Sequence, residues 1–380
     1  MKFNNNDEFR VPDCVFTCKS LTNLELDLST SYKIILPNSI SLPRLKYLRL
    51  RNTRFKHDEL TKLCSSCPVL EHLDLSGVRS TKPLSITISS VTLEHLVIGG
   101  ISTTAAMNIT ISSVTLKNFE LHIDKSIRNT LRLYAPNLVY LFLSNLDYLL
   151  FEDVSSLFKA DVGVQVKPRK PNDEFPMVHA AADTLESLKP LHNVKELTIS
   201  FQELKHVGRV EELLQKQPFH IYNLQRLELQ KMSLSTESVH VIASLLKISP
   251  VLESLVVQLC QDVENSDKSE SDEASDFGSE SEEEMELALH SGETTLGLEG
   301  QFTSTMKQLK FVEISGLEGS DSELKFIEIL LKNAMVLQKL VLKKDPTGSS
   351  IEDITKFCEE VDKFPVACLS LKIYFFFFNL

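Results

Sequence analysis

Glycine and proline are scarce, 12 and 14 among 380 residues. That scarcity excludes a collagen-like or linker-rich chain. Long apolar runs are missing too. Nothing approaches the roughly 20 residues of a membrane-spanning helix, and the apolar Phe375–Phe378 is far too short. The opening MKFNNNDEFR is polar and has no apolar stretch of a secretory signal. Seven cysteines, an odd number, fit free thiols in a reducing compartment, so the expected location is cytoplasmic, nuclear or both. A basic excess is also lacking. Net charge is -12, and twelve acidic residues against one lysine between Asp262 and Glu286 supply -11 of it. The rest is balanced, so neither nucleic acid nor membrane is an expected partner.

Sequence signatures of catalysis are absent as well. There is no G-x-x-x-x-G-K-[ST] or G-x-G-x-x-G phosphate loop, no H-E-x-x-H and no G-x-S-x-G elbow. The acidic stretch cannot position an acid–base pair. No enzyme activity and no cofactor are expected. Cys64-x-x-Cys67 with Cys14 and Cys18 has the ligand count of a zinc site. Cys64 and Cys67, however, lie on an apolar helical stripe, where thiols pack as small hydrophobes.

What the chain does have is a repeat. ITISSVTL occurs at Ile86–Leu93 and again at Ile109–Leu116. Both copies run into an L-x-x-L-x-L series. Its members are Leu21/Leu24/Leu26, Leu45/Leu48/Leu50, Leu70/Leu73/Leu75, Leu93/Leu96/Ile98, Leu116/Phe119/Leu121 and Leu138/Leu141/Leu143. Their starts are 24, 25, 23, 23 and 22 residues apart, inside the leucine-rich-repeat period of about 20–29. Later copies are looser: Leu157/Ala160/Val162, Val194/Leu197/Ile199, Leu224/Leu227/Leu229, Leu252/Leu255/Val257, Leu309/Val312/Ile314 and Leu337/Leu340/Leu342. Apolar stripes at i, i+3, i+4, i+7 predict helices through Leu60–Cys67, Val239–Leu246 and Ile327–Ala334. Ser320-x-x-Glu323 predicts a capping box for the third.

One strand–helix repeat cannot bury its apolar side alone, but a stack can. The expected fold is therefore an α/β leucine-rich-repeat solenoid, with a parallel concave sheet and helices or loops on the convex side. The expected organisation is a lead-in over 1–14, a repeat array over 15–260, an acidic disordered insert over 261–287 and a closing module over 288–380. In the insert, Ser269, Ser279 and Ser281 each precede an acidic residue by three positions, the pattern of an acidophilic kinase site.

Residues between the leucines point outward and make the candidate partner-binding face. They include Tyr47, Arg49 and Arg51; His72 and Asp74; His95; Glu120 and His122; Tyr140 and Phe142; Arg226 and Glu228. His72 and His95 hold the same position in adjacent repeats and should stack, since neighbouring strands lie about 4.8 Å apart. Tyr140 with Phe142 is the most suggestive pair, because exposed aromatics anchor interfaces.

Four segments carry a resemblance to a known family. VFTCKSLTNLELDL (Val15–Leu28) and ISLPRLKYLRLRNTRF…LCSSCPVLEHLDL (Ile40–Leu75) resemble the repeat region of plant F-box/FBD/LRR proteins. LKFVEISGLEGSDSELKFIEILLKNAMVLQKLVL (Leu309–Leu342), with FPVACLSLKIYF (Phe364–Phe375), looks like their FBD module. The resemblance implies a non-catalytic substrate receptor of a cullin-RING ubiquitin ligase, gripping a target protein on its sheet. No F-box-like segment stands ahead of the repeats in these residues. A cullin-RING adaptor is thus an expected partner only if an F-box is supplied upstream. The alternative is a stand-alone interaction scaffold or a truncated product with no ligase role.

Overall fold

The computed structural model describes residues 8–27, 33–35, 37, 39–51, 59–77, 79–80, 83–103, 107–125, 129–144, 148–164, 189–201, 220–260, 302, 305–344 and 351–377. Ser269, Ser279, Ser281 and the acidic insert lie outside them. The chain divides into two compact units, Met1–Gln230 and Lys231–Leu380.

In the first unit, β1 (Glu8–Arg10) pairs in parallel with β3 (Lys33–Ile35). Between them come a short helix α1 (Asp13–Phe16) and strand β2 (Asn23–Asp27). The main sheet starts at β2. It continues through β4 (Tyr47–Arg51), β5 (His72–Ser76), β8 (His95–Thr103), β10 (Asn118–Lys125) and β12 (Tyr140–Ser144). β14 (Lys159–Val164), β15 (Glu196–Phe201) and β16 (Arg226–Met232) complete it, and every pairing is parallel. A two-residue β6 (Arg79–Ser80) adds to the far end of β8. These strands are the L-x-x-L-x-L segments, as the period demands.

The register explains the leucines. Leu24, Leu48, Leu73, Leu96, Phe119, Leu141, Ala160, Leu197 and Leu227 stand side by side and are all buried. Each such side chain contributes roughly 1.5–3 kcal/mol by leaving water. A backbone stair locks the stacking. The carbonyl of Lys46 accepts from both Glu71 and His72, that of Glu71 from Glu94 and His95, and that of Glu94 from Lys117 and Asn118. The same double acceptance recurs at Lys117, Val139, Phe158 and Lys195.

One expectation is corrected here. Over much of the first unit, the side opposite the main sheet is itself a sheet rather than helices or loops. β7 (Leu84–Ser90), β9 (Met107–Ser113), β11 (Asn129–Tyr134) and β13 (Tyr148–Asp153) pair in parallel. The reason is local. The repeated ITISS alternates β-branched residues at period two, a strand pattern. Ile86, Ile88, Ile109 and Ile111 point inward and are buried. A 22- or 23-residue repeat also leaves no length for a helical return. The following S-V-T-L is a corner held by hydroxyls. Ser90 Oγ accepts from the Thr92 and Leu93 amides at 3.2 and 3.1 Å. Thr92 and Thr115 donate to the Leu70 and Leu93 carbonyls at 3.0 and 2.9 Å. The longer repeat before β5 does carry a helix, α2 (Glu59–Ser65), and Cys67 is buried just beyond its end.

The second unit alternates helix and strand, as its longer spacing predicts. α3 (Thr236–Ile248) precedes β17 (Ser254–Leu259); its stripe Val239, Ile242, Ala243 and Leu246 is buried, and Ser235 caps it. β18 (Phe311–Leu317), α4 (Asp321–Asn333), β19 (Lys339–Lys344), α5 (Ile351–Asp362) and β20 (Lys372–Phe377) follow. Strands β17, β18, β19 and β20 pair in parallel in chain order. The capping box at Ser320 and Glu323 is formed. Glu323 does more than cap: its carboxylate accepts from the Gly319, Ser320 and Glu318 amides at 2.6, 2.9 and 3.1 Å. It thereby fixes the whole turn between β18 and α4. Gly316, at φ +80°, is required at the register shift within β18, because a Cβ there would sit 2.8 Å from the Leu259 carbonyl oxygen. Helix α5 was not foreseen from the sequence; its buried residues Phe357 and Val361 are only four apart, a short apolar signal.

Candidate binding face of the parallel sheet

Alternate residues of a strand point to opposite faces. In-register parallel pairing therefore sorts the outward side chains of the first unit into three rows. The first row is Asn23, Tyr47, His72, His95, Asn118, Tyr140, Lys159, Glu196, Arg226. The second is Glu25, Arg49, Asp74, Val97, Glu120, Phe142, Asp161, Thr198, Glu228. The third runs Asp27, Arg51, Ser76, Gly99 and, beyond an irregular step between β8 and β10, His122 and Ser144, with Gly163, Ser200 and Gln230 further on. All twelve residues expected on the face lie in these rows, and none is buried.

At the β2–β5 end an ion-pair ladder orders the side chains. Arg49 Nε donates to Asp74 at 2.7 Å, and another guanidinium nitrogen lies 3.8 Å from Glu25. The guanidinium also stands 5.5 Å over the Tyr47 ring, and Ser76 donates to Asp74 at 2.6 Å. Arg51 is 3.9 Å from Asp27. Pairs this exposed contribute only about 0–1 kcal/mol each, so they set orientation more than stability.

Next come the histidines. The rings of His72 and His95 stack with centroids 4.2 Å apart and planes within 4°, and Tyr47 lies 6.0 Å from His72 on the other side. Asn118 Nδ2 donates to His95 Nδ1 at 2.7 Å, which assigns the His95 proton to Nε2. Burial, followed by the neighbouring His72, holds the His95 pKa below its ordinary value. Two imidazoles do not close a metal site, and among the described residues no group of three or more His, Cys, Asp or Glu could hold one.

The third cluster spans β10, β12 and β14. Phe142 stacks on His122 at 4.3 Å, and His122 Nε2 is 3.3 Å from the Glu120 carboxylate. Phe142 thus pairs with a ring of the neighbouring strand. Tyr140 Oη instead donates to Asp161 Oδ2 at 3.0 Å. Burial, then Asp161, pushes the Tyr140 hydroxyl above its ordinary range, so it stays a donor. Lys159 Nζ lies 3.8 Å from Asp161 and 5.7 Å from the Tyr140 ring centre. At the β16 end, Arg226 is 3.5 Å from Glu228, which also accepts from Gln230 at 2.8 Å. Lys159 and Asp161 were not among the residues expected on the face, although the copy Leu157/Ala160/Val162 that holds them was read from the sequence. The alternation around Ala160 and Val162 was the signal that could have found them.

The thiols fit packing. None of the seven cysteines, all among the described residues, is in a disulfide. Burial pushes Cys64 up to about 12 and Cys67 up to about 11, whereas a metal ligand needs the thiolate.

Comparison with known proteins supplies the lineage. The family model described as "FBD-associated F-box protein At5g56370, LRR repeats" matches residues 1–168, and the FBD model matches residues 305–342. F-box/FBD/LRR-repeat protein At1g78750 of Arabidopsis thaliana is 26% identical over 385 residues, covering 96% of this chain and 69% of its own length. The chain is similar to plant F-box/FBD/LRR-repeat proteins, in its LRR repeats over residues 1–168 and in an FBD segment over residues 305–342. F-box protein At3g62430 of the same plant is 39% identical over 83 residues, which is 20% of this chain and 18% of that protein. F-box/FBD/LRR-repeat protein At5g53840 is 27% identical over 308 residues, 80% of this chain and 56% of its own length. The chain therefore spans only part of each of these relatives. The LRR match ends just beyond β14, and the FBD match contains β18, α4 and most of β19.

Proposed function

We propose that this chain is a non-catalytic receptor module that holds a target protein on the open face of its parallel sheet for an F-box-type ubiquitin ligase. One observation carries the reading. Nine in-register strands present a continuous, laterally bonded array of aromatic and charged side chains, a surface shaped for a partner and not for a small substrate. The family names and the FBD match supply the ligase context. The adaptor contact belongs to an F-box, supplied by the full-length protein or by another chain. An odd number of cysteines with no disulfide among them supports a reading in which it works in the cytosol or nucleus.

The test is affinity purification of the tagged chain, in its full-length natural form, from plant tissue. The expected result is recovery of a cullin, its adaptor and a target, with the target lost on Arg49→Glu together with Tyr140→Ala. A stable partner recovered with no cullin component would overturn the ligase reading and leave a stand-alone scaffold.

A further inference from the structure

The β10–β12–β14 cluster is chemically unlike the rest of the face. Phe142 is flanked in its own row by two carboxylates, Glu120 on β10 and Asp161 on β14. His122 backs its ring, and Tyr140 stands two residues before it on the same strand. Rings beside carboxylates attract cations twice over, through the ring quadrupole and through charge. The chain's own Lys159 already responds to both, leaning on the Tyr140 ring and toward Asp161. It does so loosely, at ion-pair rather than hydrogen-bond distance and with 41% of its side chain exposed. Asp161 Oδ1 is buried and has no hydrogen-bond partner among the described residues, so the carboxylate has acceptor capacity left over.

The surroundings favour a chain lying alongside. In the third row, Ser144, Gly163 and Ser200 carry almost no side chain, so the sheet drops toward backbone level beside the Phe142–His122 wall. The charge balance selects the sign. From β10 to β16 the outward rows hold Glu120, Asp161, Glu196 and Glu228 against Lys159 and Arg226. An acidic peptide or a nucleic acid would be repelled, and an apolar one would bring no charge to pair with Glu120 and Asp161.

We propose that this cluster is a seat for an arginine or lysine side chain of a basic segment in the partner protein, with Tyr140 and Phe142 taking the cation on their faces and Glu120 and Asp161 pairing with its charge. Lys159 is the placeholder that the incoming cation displaces. The proposal deepens the reading of the sheet as a target-binding face and rests on it.

The experiment is fluorescence anisotropy on the full chain. The probes are fluorescein-labelled acetyl-Gly-Arg-Gly-Arg-Gly-Arg-Gly amide and its Lys and Glu counterparts. The arginine peptide binds and the glutamate peptide does not. Phe142→Leu, which keeps the bulk and removes the ring, weakens arginine-peptide binding about five- to tenfold. Asp161→Asn, which can still accept from Tyr140, weakens it by a similar factor, and Lys159→Ala strengthens it about twofold or more. Arginine-peptide binding unchanged in both Phe142→Leu and Asp161→Asn would overturn the proposal by placing the attraction on the acidic 262–286 stretch. The target from the affinity purification separates the two readings. Its loss on Arg49→Glu but retention by the Phe142→Leu, Asp161→Asn double variant overturns the seat and keeps the face. Retention by every face variant overturns both.

Discussion

Glu323→Ala should be among the most damaging single changes in the second unit. The Glu323 side chain is 7% exposed, and its carboxylate accepts three backbone amides, from Glu318, Gly319 and Ser320. Alanine leaves those donors without the carboxylate that takes them. A hydrogen bond to a charged group contributes about 1.5–3 kcal/mol, and an unsatisfied donor costs about 1–3 kcal/mol. Loss of the favourable charge at the helix N-terminus adds about 0.3–1 kcal/mol. The three bonds share one carboxylate and are not additive, and water reaches part of the turn once the side chain is gone. The net expectation is about 3 kcal/mol. Glutamine keeps one acceptor but turns a donor amide toward the same N–H groups, so Glu323→Gln should cost about half as much. Stacked repeats open locally, so the sharp assay is native-state hydrogen exchange followed by mass spectrometry. Peptides covering β18 and α4 should lose protection by a factor of about 100 in the alanine variant, while those covering β4 and β5 stay unchanged. A change below about fivefold across 316–330 would refute the reasoning, because the carboxylate would then be a bystander to a turn held without it.

Other perturbations follow from the same geometry. Gly316→Ala forces a Cβ against the Leu259 carbonyl at positive φ and should cost about 1–3 kcal/mol in urea unfolding of the second unit. His95 has a folded pKa below its unfolded value of about 6.5, so the folded state resists its proton. Its contribution is intact above pH 6.5 and is lost as pH falls from there toward the lowered folded pKa. Urea midpoints at pH 7.5 and 5.5 should therefore differ less in His95→Gln than in the natural chain. At pH 8, Cys64 and Cys67 should stay unreactive to a disulfide dye in the native protein, whereas Cys18, whose thiol is lowered by its bond to Ser20, should label first; prompt labelling of Cys64 would contradict its burial.

Period and alternation made much of this protein legible. The spacing of Leu45, Leu70, Leu93 and Leu116 predicted which strands neighbour which, because in a stack of repeats sequence neighbours are spatial neighbours. Hence His72 and His95 could be foreseen as a stacked pair, and Ser320 with Glu323 as a cap. Local pattern also misled by omission. ITISSVTL stood out as a repeated string, yet its role in a second sheet became visible only when its two copies lay beside β11 and β13. Asp161 stood in a recognised copy, Leu157/Ala160/Val162, but nothing local singled it out from the other outward residues.

By itself, the sequence determined the stack, the inward leucines and which residues stand on the open face, since these depend on periods of two and of about 24 residues that the chain writes out directly. Which outward residues touch was decided by the tertiary structure. Phe142 takes His122 as its ring partner, and Tyr140 turns to Asp161. Those choices depend on rotamer, register shift and turn geometry across strands 20 or more residues apart. No local pattern encodes them.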